Sequence, residues 1–415
     1  MFQPKALASW LFLTLVAFAL FLLANHEAWK YHLRVDIDGQ YTSHARHFLV
    51  DGNLKNLGYN EYQPGAVLFF ISLSPALLLG VSNELYLLAL LIANCILIAL
   101  MAVIYHKNTK SLGVVTFGLI LLFAGPIVLY RFELYVGLVV ILALWFFVGK
   151  HEFWALLFLG IATMIKIYPA LLAPYFLLLI LKRQGAKKML WGIASFAVGL
   201  GLVLGLYAGI FQAPPNDIIG SLAIHAKKPV HVESVWGSAL TIFSKITTNE
   251  YARGQGSVGI FGIAPKATIG PLLFYNSFWI LVLGVFYLWL LIKLKSTSSF
   301  DIRIPIVILL FFLVTSKILT PQYILWFALL VPLIKPSESR KNSLINLFLL
   351  LLTLFLSQYI YPLQYNGLLG IFYATGKMAF LFWILALRNL LLVILLFRYI
   401  REIVYADTRD NPLLT

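Results

Sequence analysis

Cysteine is almost absent from this 415-residue chain. The one present, Cys95, lies inside an apolar run, so no intramolecular disulfide can form and the redox compartment goes unreported. Charge is scarce as well, at 11% of residues, and acidic groups are the scarcer kind: 16 Asp plus Glu against 31 Lys plus Arg, a formal net charge of +15. With 61% hydrophobic residues, the chain has too little polar surface for a soluble globular fold. No internal repeat, heptad or low-complexity tract is present, and the apolar runs do not alternate with period two, which excludes a β-barrel. The basic residues lie mostly in short clusters between apolar runs, where they read as topology signals and anionic-lipid contacts, so nucleic acid is not an expected partner.

What is present is a series of apolar runs long enough to cross a bilayer. The first, Leu7 to Ala24, follows Lys5 and reads as an uncleaved signal anchor with its N-terminus inside. The basic clusters His106 to Lys110, Lys182 to Lys188 and Lys335 to Lys341 are also expected inside. They can share a side only if Ala66 to Val81, short and broken by Pro75, is a re-entrant or surface-lying helix. The remaining spans are then expected at 85–105, 113–130, 134–149, 153–166, 168–182, 189–210, 269–293, 303–318, 321–334, 343–361 and 377–398. The expected architecture is a single all-α polytopic membrane domain over 1–415, with about twelve transmembrane helices and both termini inside.

That topology leaves two long external segments, 25–83 with its juxtamembrane helices and 211–268. Pro214-Pro215 and the stretch from Gly254 to Gly262 mark irregular backbone in the second. It also gathers the scarce polar residues on one face: Asp36 and Asp38, the turn with Arg131 and Glu133, the turn with Lys166 and Tyr168, the loop residues His231 and Glu233, and the turn with Lys317, Gln322 and Tyr323. Charges at membrane depth are costly unless paired or used. Cations beside a carboxylate at a bilayer surface suit a lipid carrying phosphate, the cations holding the head group while the carboxylate takes a proton.

Plainer readings stand beside these. The aspartates could cap a helix, Arg131 and Glu133 could pair with each other, and Lys166 and Lys317 could snorkel to the interface. Lys227-Lys228 reads as a lipid contact and Arg388, beside Asn389, as a residue with a structural partner. His44 and His47 are an incomplete metal-ligand set. The GxGxxG pattern at Gly254 to Gly259 lacks a strand-turn-helix context. Neither a metal nor a cofactor is expected.

Asp36 and Asp38 just after the first span, followed by Tyr41, Ala45-Arg46, Asp51-Gly52 and Glu61-Tyr62-Gln63-Pro64-Gly65, resemble the first external loop of the GT-C glycosyltransferases. The nearest resemblance is to glycosyltransferase family 87, the polyprenol-phosphate-mannose-dependent mannosyltransferases of bacterial envelopes. Lys166-Ile167-Tyr168-Pro169 resembles that family's Lys-x-x-Pro turn, Glu233-Ser234 its second-loop signature and Thr320-Pro321-Gln322-Tyr323 its late turn.

The resemblance implies a GT-C fold in the inner membrane of a bacterial cell. It implies a polyprenyl-phosphate sugar as donor and a lipid or glycan as acceptor, with inverting transfer of a hexose, mannose by resemblance, on the external face. The catalytic base would be Asp38 or Asp36. The spacing departs from the family's aspartate four residues before a tyrosine, since Asp36 precedes Tyr41 by five and Asp38 by three. Lys166, Lys317 and Arg131 would hold the donor phosphate. Glu133, Tyr168, His231, Glu233, Gln322 and Tyr323 would contact substrate. A transporter or flippase of lipid-linked sugars is the alternative, and would need polar residues along a path through the bilayer.

Overall fold

Burial along the first helix follows a pattern foreign to soluble proteins. In α1 (Pro4–Ala24), Ser9, Leu13, Val16, Leu20 and Ala24 are buried at three- and four-residue spacing. Leu7, Leu11, Leu15, Phe18 and Leu22 on the other face are all more than half exposed. A helix that is apolar all round and leaves an apolar stripe uncovered requires an apolar solvent. The computed structural model describes residues 4–55, 61–79, 83–214, 220–221, 223–225, 228, 230–243, 251–253, 261–263, 269–295, 297–335, 340–364 and 380–409. Among them, Pro4–Ala24, Glu84–Ala124, Ala186–Ile210, Lys341–Leu363 and Phe380–Val404 are long and apolar enough to cross a membrane. The chain is a multi-pass helical membrane protein.

Three short helices follow α1: α2 (Glu27–Leu33), a wide π-turn over Ile37–Tyr41, and α3 (Thr42–Asp51), which Gly52 ends in the left-handed conformation. The stretch expected to lie short of a full span is a broken pair, α4 (Pro64–Ser72) and α5 (Pro75–Leu78), each with proline in its first turn. The 41 residues of α6 (Glu84–Ala124) are not one rod. Lys110 leaves the helical region at φ 57°, and the rings of Tyr105 and Phe117 lie 4.9 Å apart, whereas twelve residues of straight helix would separate them by about 18 Å. The chain therefore doubles back at the basic cluster, and α1 packs against α6, with Ser111 donating to the Lys5 carbonyl at 3.3 Å.

After the single turn α7 (Ile127–Tyr130) come α8 (Glu133–Val148), α9 (Glu152–Ile165), a 3-10 turn at Tyr168–Leu172, α10 (Ala173–Gln184) and α11 (Ala186–Leu204). Helix α9 packs between α8 and α11. At its crossing with α11, a Cβ on Gly199 would lie 2.2 Å from the Leu157 carbonyl and one on Gly160 2.3 Å from the Phe196 carbonyl. The two backbones touch, as small residues allow inside membranes. Gly65 at the head of α4 makes a second such approach, 2.8 Å from the Met164 carbonyl, and so docks the first loop against the end of α9. Gly199→Leu is expected to force α9 and α11 apart and cost about 1–3 kcal/mol. A thermal midpoint in detergent equal to the wild type would refute that contact.

The second half contains α12 (Val235–Phe243), α13 (Ile269–Lys293), α14 (Arg303–Thr315), α15 (Leu325–Ala328), α16 (Arg340–Gln358) and α17 (Phe380–Arg409). Helix α17 packs on α14 and α16. The expected run 321–334 is divided into the turns Pro321–Ile324 and Val331–Leu333 on either side of α15. Within this helical architecture the second long segment also carries a little extended backbone. There Val230–His231, Phe261–Ile263 and Tyr251–Arg253 form a small antiparallel sheet with Phe261–Ile263 in the middle. Expectations placed on Pro215, Lys227, Val81, Gly254 to Gly259 and residues 377–379 lie outside the described residues.

Candidate active site

The short turns between helices bring the polar residues together. Arg131 leaves α7 in extended conformation and is 4% exposed. Its Nη1 donates to the Leu33 carbonyl at 3.0 Å, and its Nη2 lies 3.1 Å from Asp36 Oδ2 and 3.4 Å from the Tyr361 hydroxyl. Tyr361 in turn donates to the His32 carbonyl at 3.1 Å. One guanidinium thus ties the start of the first loop to the turn after α7 and to the end of α16.

Asp38, expected with Asp36 as a candidate base, lies in different surroundings from Asp36. It accepts from Arg34 Nε at 3.0 Å and from Asn83 Nδ2 at 3.0 Å, and Arg34 and Lys30 also pair with Glu84 at the head of α6. The π-turn sends Asp36 toward the buried arginine and commits Asp38 to an outer clasp between the first loop and α6. An offset of two residues separates the two aspartates around a helical turn, so they cannot share a face.

Beside Arg131 stands a second buried pair. Glu133 is the first residue of α8 and 1% exposed, and its Oε1 accepts from the Nζ of Lys166, the residue that ends α9. The Lys166 ammonium sits 4.8 Å from the ring centres of Phe132 and Tyr323 and 5.2 Å from Trp326, inside an aromatic cage that favours a cation. Oε2 of Glu133 and Nε of Arg131 are buried without hydrogen-bond partners among the described residues. Tyr62 and Tyr41, rings 5.5 Å apart, pack edge-on to Phe132 from the first loop.

The other residues expected to contact substrate lie around this pair and in the second long segment. Tyr168 stacks on Trp326 at 4.5 Å and is fully buried, so it supports the cage from behind. Tyr323 stacks on the same indole at 4.2 Å and does face Lys166. Gln322 is half-buried in the Pro321 turn and makes no side-chain hydrogen bond among the described residues. His231 is pinned by Nδ1 to the Leu319 carbonyl at 2.7 Å, and its backbone N–H donates to the Lys317 carbonyl at 2.8 Å. Lys317 is buried and donates to the Lys228 carbonyl.

Lys228 is corrected from lipid contact to buried partner: it is 6% exposed and pairs with Glu61 at 2.7 Å. His225, near Lys228, Lys166 and Lys317, joins this group. Glu61, Lys228, Trp326 and Tyr361 were not expected as site residues. Glu61 stood in the stretch before Pro64-Gly65, but the apolar runs that hold Trp326 and Tyr361 carry no mark distinguishing a caged indole or a bridging hydroxyl from core.

Glu233, 2% exposed, meets Arg388 of α17, which is fully buried. Burial pushes the Glu233 carboxyl up to about 7, opposed by the Arg388 charge, and burial pushes His231 down to about 4. The signs are opposite. The folded state holds the Glu233 proton that the unfolded chain releases near pH 4.5, so that contribution to stability falls as pH rises from there to 7. Neutral His231 contributes stability that is present above pH 6.5 and lost on acidification toward 4. The two nearly offset between pH 4.5 and 6.5. Glu233→Gln is therefore expected to expose a rise of stability with pH over that window, read from thermal midpoints in detergent. An unaltered pH profile would refute the burial of a protonated carboxyl.

Carboxylates, cations and an aromatic cage thus converge at turns contributed by distant parts of the chain. The arrangement can grip an anion, take one proton and hold a neutral polar ring. No protein-family model matches the chain, and no curated protein matches it.

Proposed function

We propose that this chain is a membrane glycosyltransferase of the GT-C type. It moves a hexose, mannose by resemblance, from a polyprenyl-phosphate sugar to a lipid or glycan acceptor, with inversion. The carrying observation is the Asp36 carboxylate held 3.1 Å from buried Arg131, beside the Lys166–Glu133 pair. In this reading about twelve spans place both termini inside and the site on the external face of a bacterial inner membrane.

The acceptor hydroxyl gives its proton to Asp36 as its oxygen attacks the anomeric carbon in line. The carbon–oxygen bond to phosphate breaks, and polyprenyl phosphate leaves with the bonding pair as a dianion. Arg131, Lys166 and Lys317 face that growing charge, which is where preorganised cations accelerate a reaction. Arg131 also fixes the orientation of the Asp36 carboxylate. The gathering of these groups at helix ends supports an enzyme over a transporter, whose polar groups would line a path through the membrane.

The test is incubation of the purified protein in lipid with a panel of polyprenyl-phosphate sugars, scoring release of polyprenyl phosphate. Release with one sugar class and an acceptor is expected. No release with any donor would remove the reading.

A further inference from the structure

Arg388 and the carboxyl of Glu233 lie in a part of the molecule where charge is costly, and their mutual pairing is incomplete. Arg388 Nη2 donates to the Glu233 carbonyl at 2.9 Å but stands 3.6 Å from its carboxylate, outside hydrogen-bond range. Nε and Nη1 of Arg388, Oε2 of Glu233 and Oδ1 of Asn389 are all buried without a hydrogen-bond partner among the described residues. Leaving such atoms unpaired costs more than an ordinary hydrogen bond returns.

The surrounding backbone is rigid. Asn389 Nδ2 holds the Glu233 and Ser234 carbonyls at 3.2 and 3.0 Å and the Ser238 hydroxyl at 2.7 Å. A Cβ on Gly237 would lie 2.3 Å from the His231 carbonyl, which closes the turn tightly. These contacts fix the cluster and leave its four unpartnered atoms to something else.

Their chemistry selects the ligand. Two guanidinium donors and two oxygen acceptors belong to three side chains joined through the Glu233 segment. An anion would meet Glu233 and the Asn389 oxygen, and a cation would meet Arg388. A neutral group that both donates and accepts satisfies all four, and hydroxyls do so. The neighbourhood points the same way: Tyr361, bonded to Arg131, lies within electrostatic reach of both Asp36 and Glu233. Tyr361 therefore couples the cluster electrostatically to the site around Asp36.

We propose that Glu233, Arg388 and Asn389 form a hydroxyl-recognition subsite that receives a pyranose ring of the substrate. This rests on the transferase reading. The ring belongs either to the donor hexose or to a sugar acceptor, since both present the same hydroxyls.

The experiment measures equilibrium binding of farnesyl phosphate, of farnesyl phosphate carrying mannose, glucose or galactose, and of octyl α-mannoside, to the protein in lipid vesicles. One sugar-bearing donor probe is expected to bind roughly 10- to 100-fold tighter than farnesyl phosphate. Glu233→Gln and Arg388→Lys should bring that ratio close to one without changing the affinity for farnesyl phosphate. If only octyl α-mannoside binding falls in the variants, the ring is the acceptor's. Glu233→Gln is nearly isosteric and decides the matter should Arg388→Lys fail to fold.

Ratios and octyl α-mannoside binding that are the same in wild type and both variants overturn the subsite, and so does a wild type that binds no sugar better than farnesyl phosphate and no octyl α-mannoside. Transfer activity separates the two proposals. A protein that transfers sugar yet shows unchanged ratios and unchanged octyl α-mannoside binding in the variants keeps the transferase reading and loses the subsite. One that loses the ratio in the variants but never releases farnesyl phosphate keeps the subsite and loses the transferase reading.

Discussion

Replacing Asp36 by Asn should lower sugar transfer by about 10²- to 10⁴-fold, the usual contribution of a positioned base, while the protein still binds a polyprenyl-phosphate donor. The substitution keeps the size of the side chain and one acceptor oxygen for Arg131 Nη2, now 3.1 Å from the carboxylate, but it removes the basic oxygen. Asp38→Asn should behave differently. Asp38 is held by Arg34 and Asn83 and is partly exposed, so its loss should loosen the clasp on the first loop by no more than about 1 kcal/mol and slow transfer only a few-fold. Single-turnover rates of the two variants decide the matter. Equal and severe losses would return the base to the undecided pair, and a fully active Asp36→Asn protein would remove the proposed mechanism.

The second large effect is expected at Lys166. Lys166→Met removes the partner of a fully buried carboxylate, Glu133, and stranding a buried charge typically costs about 3–5 kcal/mol. In the proposed function the same change also removes a cation that would hold the donor phosphate. The two consequences can be separated. Adding Glu133→Leu to Lys166→Met removes the stranded charge, and a well-packed apolar pair is often as stable as the ion pair it replaces. The double variant should therefore recover most of its thermal midpoint in detergent but not its affinity for the lipid phosphate. Restored donor binding would show that Lys166 serves the fold alone. A single variant as stable as the wild type would show that the ion pair contributes nothing to the fold. Lys166→Arg should keep the charge yet fit the cage of Phe132, Tyr323 and Trp326 poorly, because the planar guanidinium is longer and wider than an ammonium.

Much of the architecture was legible because membrane helices are governed by composition and length. Helix boundaries fall close to the expected runs at α8 (Glu133–Val148), α9 (Glu152–Ile165), α13 (Ile269–Lys293) and α14 (Arg303–Thr315). The break at Pro75 and the reversal at the basic cluster ending in Lys110 follow from residues that a continuous apolar helix does not tolerate. The small sheet in the second long segment was not legible, since strands of two or three residues leave no periodicity to read.

Composition by itself determined that the chain lives in a membrane, and the position of its few charges, at the ends of apolar runs for Arg131, Glu133, Lys166 and Lys317 and in the long external segments for Asp36 and Glu233, marked them as residues to watch. Pairing was a tertiary matter. Which aspartate meets Arg131 depends on the π-turn at Ile37–Tyr41, and two residues of helical phase separate an inward carboxylate from an outward one. That Lys228 reaches Glu61 across 167 positions, and Arg388 reaches Glu233 across 155, depends on long-range packing such as the contact at Gly65. Local spacing carries no information about such distances, because a buried charge selects its partner from whatever the folded backbone brings within a few ångströms.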